Sequence, residues 1–399
     1  MGGAPLSLLY LIEQLDRTRY EPEVLFIGNP SDEVAAYARR GIPFRVRSDI
    51  TSYPHAENAR LTLRSLRPWE VVTRPFQILP SANRMREELM ARPVDLVHIN
   101  TSVLLPAGLG ASRAGVPVVW HVREPLYRGA FGLRRALVRG IIDRCSSAIV
   151  AISNADAARL IQGPKVHVVY NFVNFEVFNR EIDSMQVRES LGIDSRSRII
   201  LMLGGLVESK GADVFVRAAS LATKQDPALV FLIAGVPPGG QSPSWIKRTA
   251  RRAIESIGAV PSMERRVRSL IQAHRLEKVV RFLGMRSDVP QLLAAADVLV
   301  WPATVPHFAR PVIEAGAMAR PVIASDFAAS RETVTDGETG FLVTPRDPGA
   351  LAEAIARVFS DTQAARRMGE AGYRLAQERY DARRGAAAVM AIYDRVLAG

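Results

Sequence analysis

The chain has 399 residues, 48% apolar and 23% charged, with a formal net charge of +12 and a sequence pI near 10.3. That balance excludes a disordered chain and leaves length for two or three domains, each with its own core. A single cysteine, Cys145, excludes an intrachain disulfide and a cysteine metal cluster, and suits a reducing cytoplasm. No apolar run reaches the ~18–20 residues that a membrane-spanning helix needs.

The charge admits two readings. Attraction to anions is one; compositional bias is the other, because only five of the 52 basic residues are lysine. No basic segment is interleaved with aromatics, so nucleic acid is not expected as a partner. Peripheral contact with an anionic membrane surface is the better form of the first reading.

The opening "MGGAPLSLLYLIEQLD" places Gly2 and Gly3 ahead of a helical run. It has no basic leader, so it does not read as a secretory signal. It also lacks the strand that should precede a Gly-rich loop and helix, as if the true start lay upstream. Strands are predicted at 24–27, 44–47, 95–99, 117–121, 148–152 and 166–169. After a polar gap at 179–197 they resume at 199–203, 229–233, 279–283, 297–301, 321–325 and 340–343. Helix-length segments at 132–144, 210–224, 263–275 and 348–360 alternate with them. Near-continuous apolar strands alternating with helices mean parallel sheets covered on both faces. The polar gap divides the chain into two doubly wound halves facing a central cleft, where ligands of this architecture bind at the strands' carboxyl ends. Residues 237–262 form a Pro/Gly-bounded insertion. Its segment "WIKRTARRAI" is either a solvated surface helix or an interfacial one resting on Trp245 and Ile246.

Two stretches carry possible chemistry. In "MLGGLVESKGADVF" a strand runs into Gly204-Gly205 and then Lys210 at a helix entrance. Glycines let a phosphate approach the backbone and the lysine adds a point charge, although a Lys-Gly pair at a helix start is often only a cap. In "PHFARPVIEAGAMARPVIAS" Pro311 suits a first helical turn, so the amides of Phe308, Ala309 and Arg310 would gather at a helix start that favours anions. Glu314 lies one turn inside. It either gains from the helix dipole or accepts hydrogen bonds from ribose hydroxyls.

These stretches, with "PVVWHVRE", "AIVAISNADAARL", "VVYNFVNFEVF" and "ARPVIASDFAASRETVTDGETGFLVTPRDP", resemble the family-4 retaining glycosyltransferases of the GT-B fold over nearly the whole chain. The resemblance implies an α/β architecture of two Rossmann-like domains. Residues 1–178 would bind the acceptor and 179–377 the nucleotide sugar, with a C-terminal helix at 378–399 packing back on the first domain. It also implies metal-independent transfer of a sugar from a nucleoside diphosphate, with retention and no cofactor. Lys210 would neutralise the leaving diphosphate with help from the amides at 308–310, Glu314 would grip the ribose, and His121 would lie near the reacting sugar. Gly2, Gly3, Gly204 and Gly205 would approach the phosphates.

Three positions depart from that pattern. Pro306 stands where the first glutamate of the paired motif belongs, with His307 beside it as a substitute partner for a sugar hydroxyl. Gly205 replaces an arginine, and Asn174 replaces the linker aspartate. These departures keep a non-catalytic GT-B relative open as the alternative to an active transferase. An epimerase is disfavoured for lack of a second pair of carboxylates. Arg60, Arg64, Arg67, Arg74, Arg123 and Arg128 lie in loops expected to meet the acceptor. Singly they read as a solvated basic face; together with the net charge they favour a lipid-linked or phosphorylated acceptor. A role in surface polysaccharide or glycolipid synthesis, at the inner face of the membrane, would follow.

Overall fold

The twelve predicted apolar runs all become strands, each within two residues of its expected bounds, and every pairing between them is parallel. The computed structural model describes residues 3–28, 32–53, 68–126, 132–235 and 262–399. Gly2, Arg60, Arg64, Arg67, Arg128, and the insertion with Trp245 and Ile246 lie outside them. The chain divides into two compact units, Met1–Phe172 with Arg379–Gly399, and Val173–Glu378.

In the first unit the order is α1 (Gly3–Glu13), β1 (Val24–Ile27), α2 (Asp32–Ala38), β2 (Phe44–Arg47), α3 (Pro68–Ala91) and β3 (Val97–Ile99). It continues through α4 (Leu105–Arg113), β4 (Val118–Val122), α5 (Leu133–Cys145), β5 (Ala148–Ala151), α6 (Asn154–Ala157) and β6 (Val166–Val168). Strands β3 to β6 form one four-stranded sheet and β1 pairs with β2 in a separate ribbon. The doubly wound sheet expected here is therefore split into two wings among the described residues, where no strand precedes α1. Strands β4 and β5 are buried at every position, which is why they read as unbroken apolar runs.

The second unit runs α7 (Ser184–Ser190), β7 (Arg198–Leu203), α8 (Ala212–Ala222), β8 (Leu229–Ala234), α9 (Met263–Ala273), β9 (Val280–Gly284), α10 (Val289–Ala295) and β10 (Val298–Trp301). It ends with α11 (Arg310–Ala317), β11 (Val322–Ser325), α12 (Ala328–Arg331), β12 (Gly340–Val343), α13 (Pro348–Ser360) and α14 (Thr362–Arg379). Its sheet order is β12-β11-β10-β7-β8-β9, the doubly wound order whose winding reverses between β7 and β10. Helix starts follow their caps. Asp347 accepts from the amides of Gly349 and Ala350 ahead of Pro348, and Asp183 does the same for α7.

The last helix, α15 (Ala382–Ala398), belongs to the first unit. Ala382, Ala386, Val389, Ile392 and Tyr393 join Leu9, Ile12, Val24, Val119 and Phe172 in one core. Its approach is close: a Cβ on Gly385 would sit 2.3 Å from the Phe172 ring. We expect Gly385→Ala to destabilise this unit by roughly 1–3 kcal/mol, read as a lowered urea midpoint. An unchanged midpoint would mean that the ring swings aside at little cost.

Candidate active site

The crevice of a doubly wound sheet opens at the carboxyl ends of the two strands where the winding reverses, here β7 and β10. Beyond β7 the backbone turns left-handed at Gly204 (φ 112°) and Gly205 (φ 78°). A Cβ on Gly205 would lie 2.5 Å from the Gly235 carbonyl oxygen, so this backbone closes the position to the arginine that the family pattern places there. A single 3₁₀ turn, Glu208–Lys210, leads to Gly211 at φ 72°, and a Cβ there would lie 1.9 Å from the carbonyl oxygen of Pro302. Thr304 fastens the two loops together. Its amide donates to the Ser209 carbonyl at 3.0 Å and its hydroxyl to the Glu208 carbonyl at 2.8 Å. The loop bearing Lys210 is thus pinned to the loop that follows β10.

Lys210 Nζ lies 2.8 Å from His307 Nε2 and 4.4 Å from the centre of the Trp301 ring. An ammonium only donates, so Nε2 accepts. His307 Nδ1 lies 2.9 Å from the Val305 carbonyl oxygen, which only accepts, so Nδ1 carries the proton. Burial first, then the neighbouring Lys210 charge, holds the imidazole pKa down to about 3. His307 is therefore neutral. Burial pulls the Lys210 ammonium down to about 8. Trp301 is buried, and its indole N–H has no hydrogen-bond partner among the described residues.

Phe308 and Ala309 are buried. Ala309 caps α11 with an extended backbone (φ −105°, ψ 99°) and no side-chain cap bond. One turn in, Glu314 is only 5% exposed. Its Oε1 accepts from Arg310 Nε at 2.6 Å. Burial raises the carboxyl pKa while the Arg310 charge and hydrogen bond oppose the rise. The Arg310 side chain thus has Glu314 as its counterion.

The second unit brings together Gly204, Lys210, Trp301 and His307; His121 and Gly3 belong to the first unit. Gly3 begins α1, where its carbonyl accepts from Ser7 Oγ at 2.9 Å. His121 lies inside β4 and is fully buried. Its Nδ1 is 3.2 Å from Arg123 Nη2. Since a guanidinium only donates, Nδ1 accepts and the proton sits on Nε2, which has no partner among the described residues. Burial and the Arg123 charge push its pKa well down. Arg123 is not part of a solvated basic face. It is buried and donates to Asn100 Oδ1 at 2.7 Å and Asn171 Oδ1 at 2.6 Å. Sequence reasoning missed Trp301 and Thr304 as site residues; the only sequence signal for either was that the run "VLVWPA" ends a strand.

The Lys210 shift fixes a pH dependence. Its folded pKa is about 8 against 10.5 unfolded, so between these values the unfolded chain binds more protons and stability rises with pH. Positive charge at the site is present below pH 8 and lost above it. We expect nucleotide affinity to fall from pH 7 to 9.5, measured by calorimetry; a flat profile would show that the ammonium does not meet the ligand.

Comparison with known proteins bears on both units. The family described as Glycosyl transferases group 1 matches residues 183–375, and Glycosyltransferase Family 4 matches residues 1–177. A D-inositol 3-phosphate glycosyltransferase of Corynebacterium glutamicum is 31% identical over 187 residues, 46% of this chain and 40% of that protein. The N-acetyl-alpha-D-glucosaminyl L-malate synthase of Bacillus anthracis is 22% identical over 341 residues, 83% of this chain and 81% of that protein. Among solved structures, Anabaena Alr3699/HepE, in complex with UDP and glucose, aligns with a TM-score of 0.77 at 22% identity over 98% of this chain and 96% of that one. Sucrose-phosphate synthase of Thermosynechococcus elongatus aligns at 0.69 with 20% identity, over 94% of this chain and 99% of that one. These structural likenesses establish the fold, two Rossmann-like domains. Nothing in the named relatives favours the non-catalytic alternative.

Proposed function

Because this chain belongs to the glycosyltransferases, residues 183–375 matching Glycosyl transferases group 1 and residues 1–177 matching Glycosyltransferase Family 4, we propose that it transfers a sugar from a nucleoside diphosphate to an acceptor, with retention. The observation that carries this reading is the Lys210 ammonium, pinned at the reversal point of the second sheet by Thr304 and held against His307 and Trp301. A fixed cation there stabilises charge as it builds on a departing diphosphate, without reorganising at the moment of reaction. The amides at the start of α11 would assist, and Glu314 would take the ribose through the carboxylate edge turned away from Arg310. In this scheme the protein's own donors, rather than a metal, neutralise the leaving group.

The donor class is supported by HepE, whose solved complexes hold UDP and UDP-glucose. Calorimetry with UDP, GDP and dTDP, followed by nucleoside-diphosphate release from the matching sugars with a membrane-lipid extract, tests the proposal. Binding with acceptor-dependent release is expected. Binding of none of the three nucleotides would overturn it.

For the first unit we propose a lipid-linked or phosphorylated acceptor, met at an anionic membrane surface by a peripheral protein of polysaccharide or glycolipid synthesis. No helix among the described residues is long and apolar enough to span a membrane. Yet α5 exposes Leu133 (76%) and Leu137 (57%), one turn apart, on a segment that also carries Arg134, Arg135, Arg139 and Arg144. Such a face suits the headgroup layer. Sedimentation with anionic vesicles should fall at least several-fold for the Leu133→Glu, Leu137→Glu double variant. Equal sedimentation would remove α5 from the membrane contact.

A further inference from the structure

We propose that His307 is a positioning residue that locks Lys210, and not a partner for a donor-sugar hydroxyl. This rests on the assignment of Lys210 to the donor diphosphate. Both ring nitrogens are already engaged, Nδ1–H with the Val305 carbonyl and Nε2 with Lys210, so the imidazole has no polar atom left for a hydroxyl. The ring is fixed from the side as well, edge-to-face against Trp301 with centroids 5.4 Å apart. Trp301 also presents its π face to the Lys210 ammonium. One side of the ammonium thus meets a lone pair and another an aromatic face, both neutral. That choice of partners has a consequence. A carboxylate at 307 would hold the lysine but cancel its charge, whereas a neutral acceptor fixes the direction and leaves the charge for an anion. The side of the ammonium turned away from His307 and Trp301 remains to receive it.

The test reads Lys210 directly. Competitive labelling of the whole protein with an acylating reagent, followed across pH by mass spectrometry, gives the titration midpoint of Lys210 against Lys165, Lys224 and Lys278 as internal references. His307→Gln places an acceptor where Nε2 was and should titrate like the unmodified protein. His307→Asn keeps a donor near Val305 but falls short of Lys210, and His307→Phe keeps only the ring. Both should move the Lys210 midpoint down by about one pH unit, as an ammonium that has lost its acceptor does. If Asn and Phe variants both titrate with the unmodified protein, the lock is overturned, and the Asn variant serves alone should the Phe variant not fold.

Turnover supplies the second reading. On the donor that the protein uses, His307→Phe should lower kcat on the order of 10- to 100-fold with little change in KM. In a Lys210→Ala background it should cost nothing further, because it acts through that lysine. An equal loss in both backgrounds would overturn the proposal. Lys210→Ala with full turnover would overturn the assignment beneath it. The two failures are distinguishable, since the labelling midpoint depends on no donor.

Discussion

Lys210→Ala should lower kcat by about 10²- to 10³-fold while weakening nucleotide binding far less, the range seen when one preorganised donor to a developing oxyanion is removed. The inequality is the informative part. On the proposed role the diphosphate would already share its charge with water and backbone amides in the ground state; only as the sugar–oxygen bond breaks would extra negative charge reach the oxygen facing Lys210. The lysine cannot drift to meet it, for Gly211 is pressed on the Pro302 carbonyl and Thr304 holds the carbonyls of Glu208 and Ser209. Isothermal calorimetry and single-turnover kinetics on the same variant decide the matter. Equal losses in binding and turnover would reduce Lys210 to a nucleotide anchor.

Glu314→Ala is expected to cost roughly 3–5 kcal/mol of stability, because it removes the carboxylate that pairs with the Arg310 guanidinium at a site little exposed to water. The side chains of Arg310 and Glu314 are 10% and 6% exposed, so water does little to rescue either. Arg310→Ala should cost a similar amount. A double replacement, Arg310→Leu with Glu314→Met, removes both charges at once and should recover most of the loss, since apolar pairs often replace buried ion pairs without penalty. That variant also separates the two roles of Glu314. If the carboxylate grips the ribose, restored stability should come with nucleotide binding still weakened by roughly 1.5–3 kcal/mol. If both recover, Glu314 serves only to hold α11 to its own first turn.

Strands β4, β5, β10 and β11 were legible because they are buried at every position, which leaves β-branched, apolar runs that no helix period explains. The parallel, doubly wound character of the second sheet followed from the alternation of strands with helices; its strand order did not. The split in the first sheet was not legible in the sequence. At the site, Lys210 and Glu314 stood out in the sequence because a lone charge in an apolar or glycine-rich context is conspicuous. Their neighbours did not. Trp301 reads as one more apolar strand residue, and Arg310 sits four positions before Glu314 without any sign of which way it turns. Arg123 was grouped with surface arginines, although two asparagines, Asn100 and Asn171, from distant points in the chain surround its guanidinium. Spacing along a helix or strand is visible in one dimension; a polar cluster assembled across three loops is not.

The return of α15 to the first unit sets an order of assembly on the ribosome. Domains usually fold as they emerge, the N-terminal one first. Here the first unit's core waits for Ala382 to Tyr393, which follow the whole of the second unit in the chain, while Val173–Glu378 is contiguous and can close while α15 is still in the exit tunnel. Until α15 emerges the apolar face of α1 stands without its final cover, so a stall or truncation near residue 380 should deliver a protein with a finished second unit and a first unit that chaperones and proteases recognise.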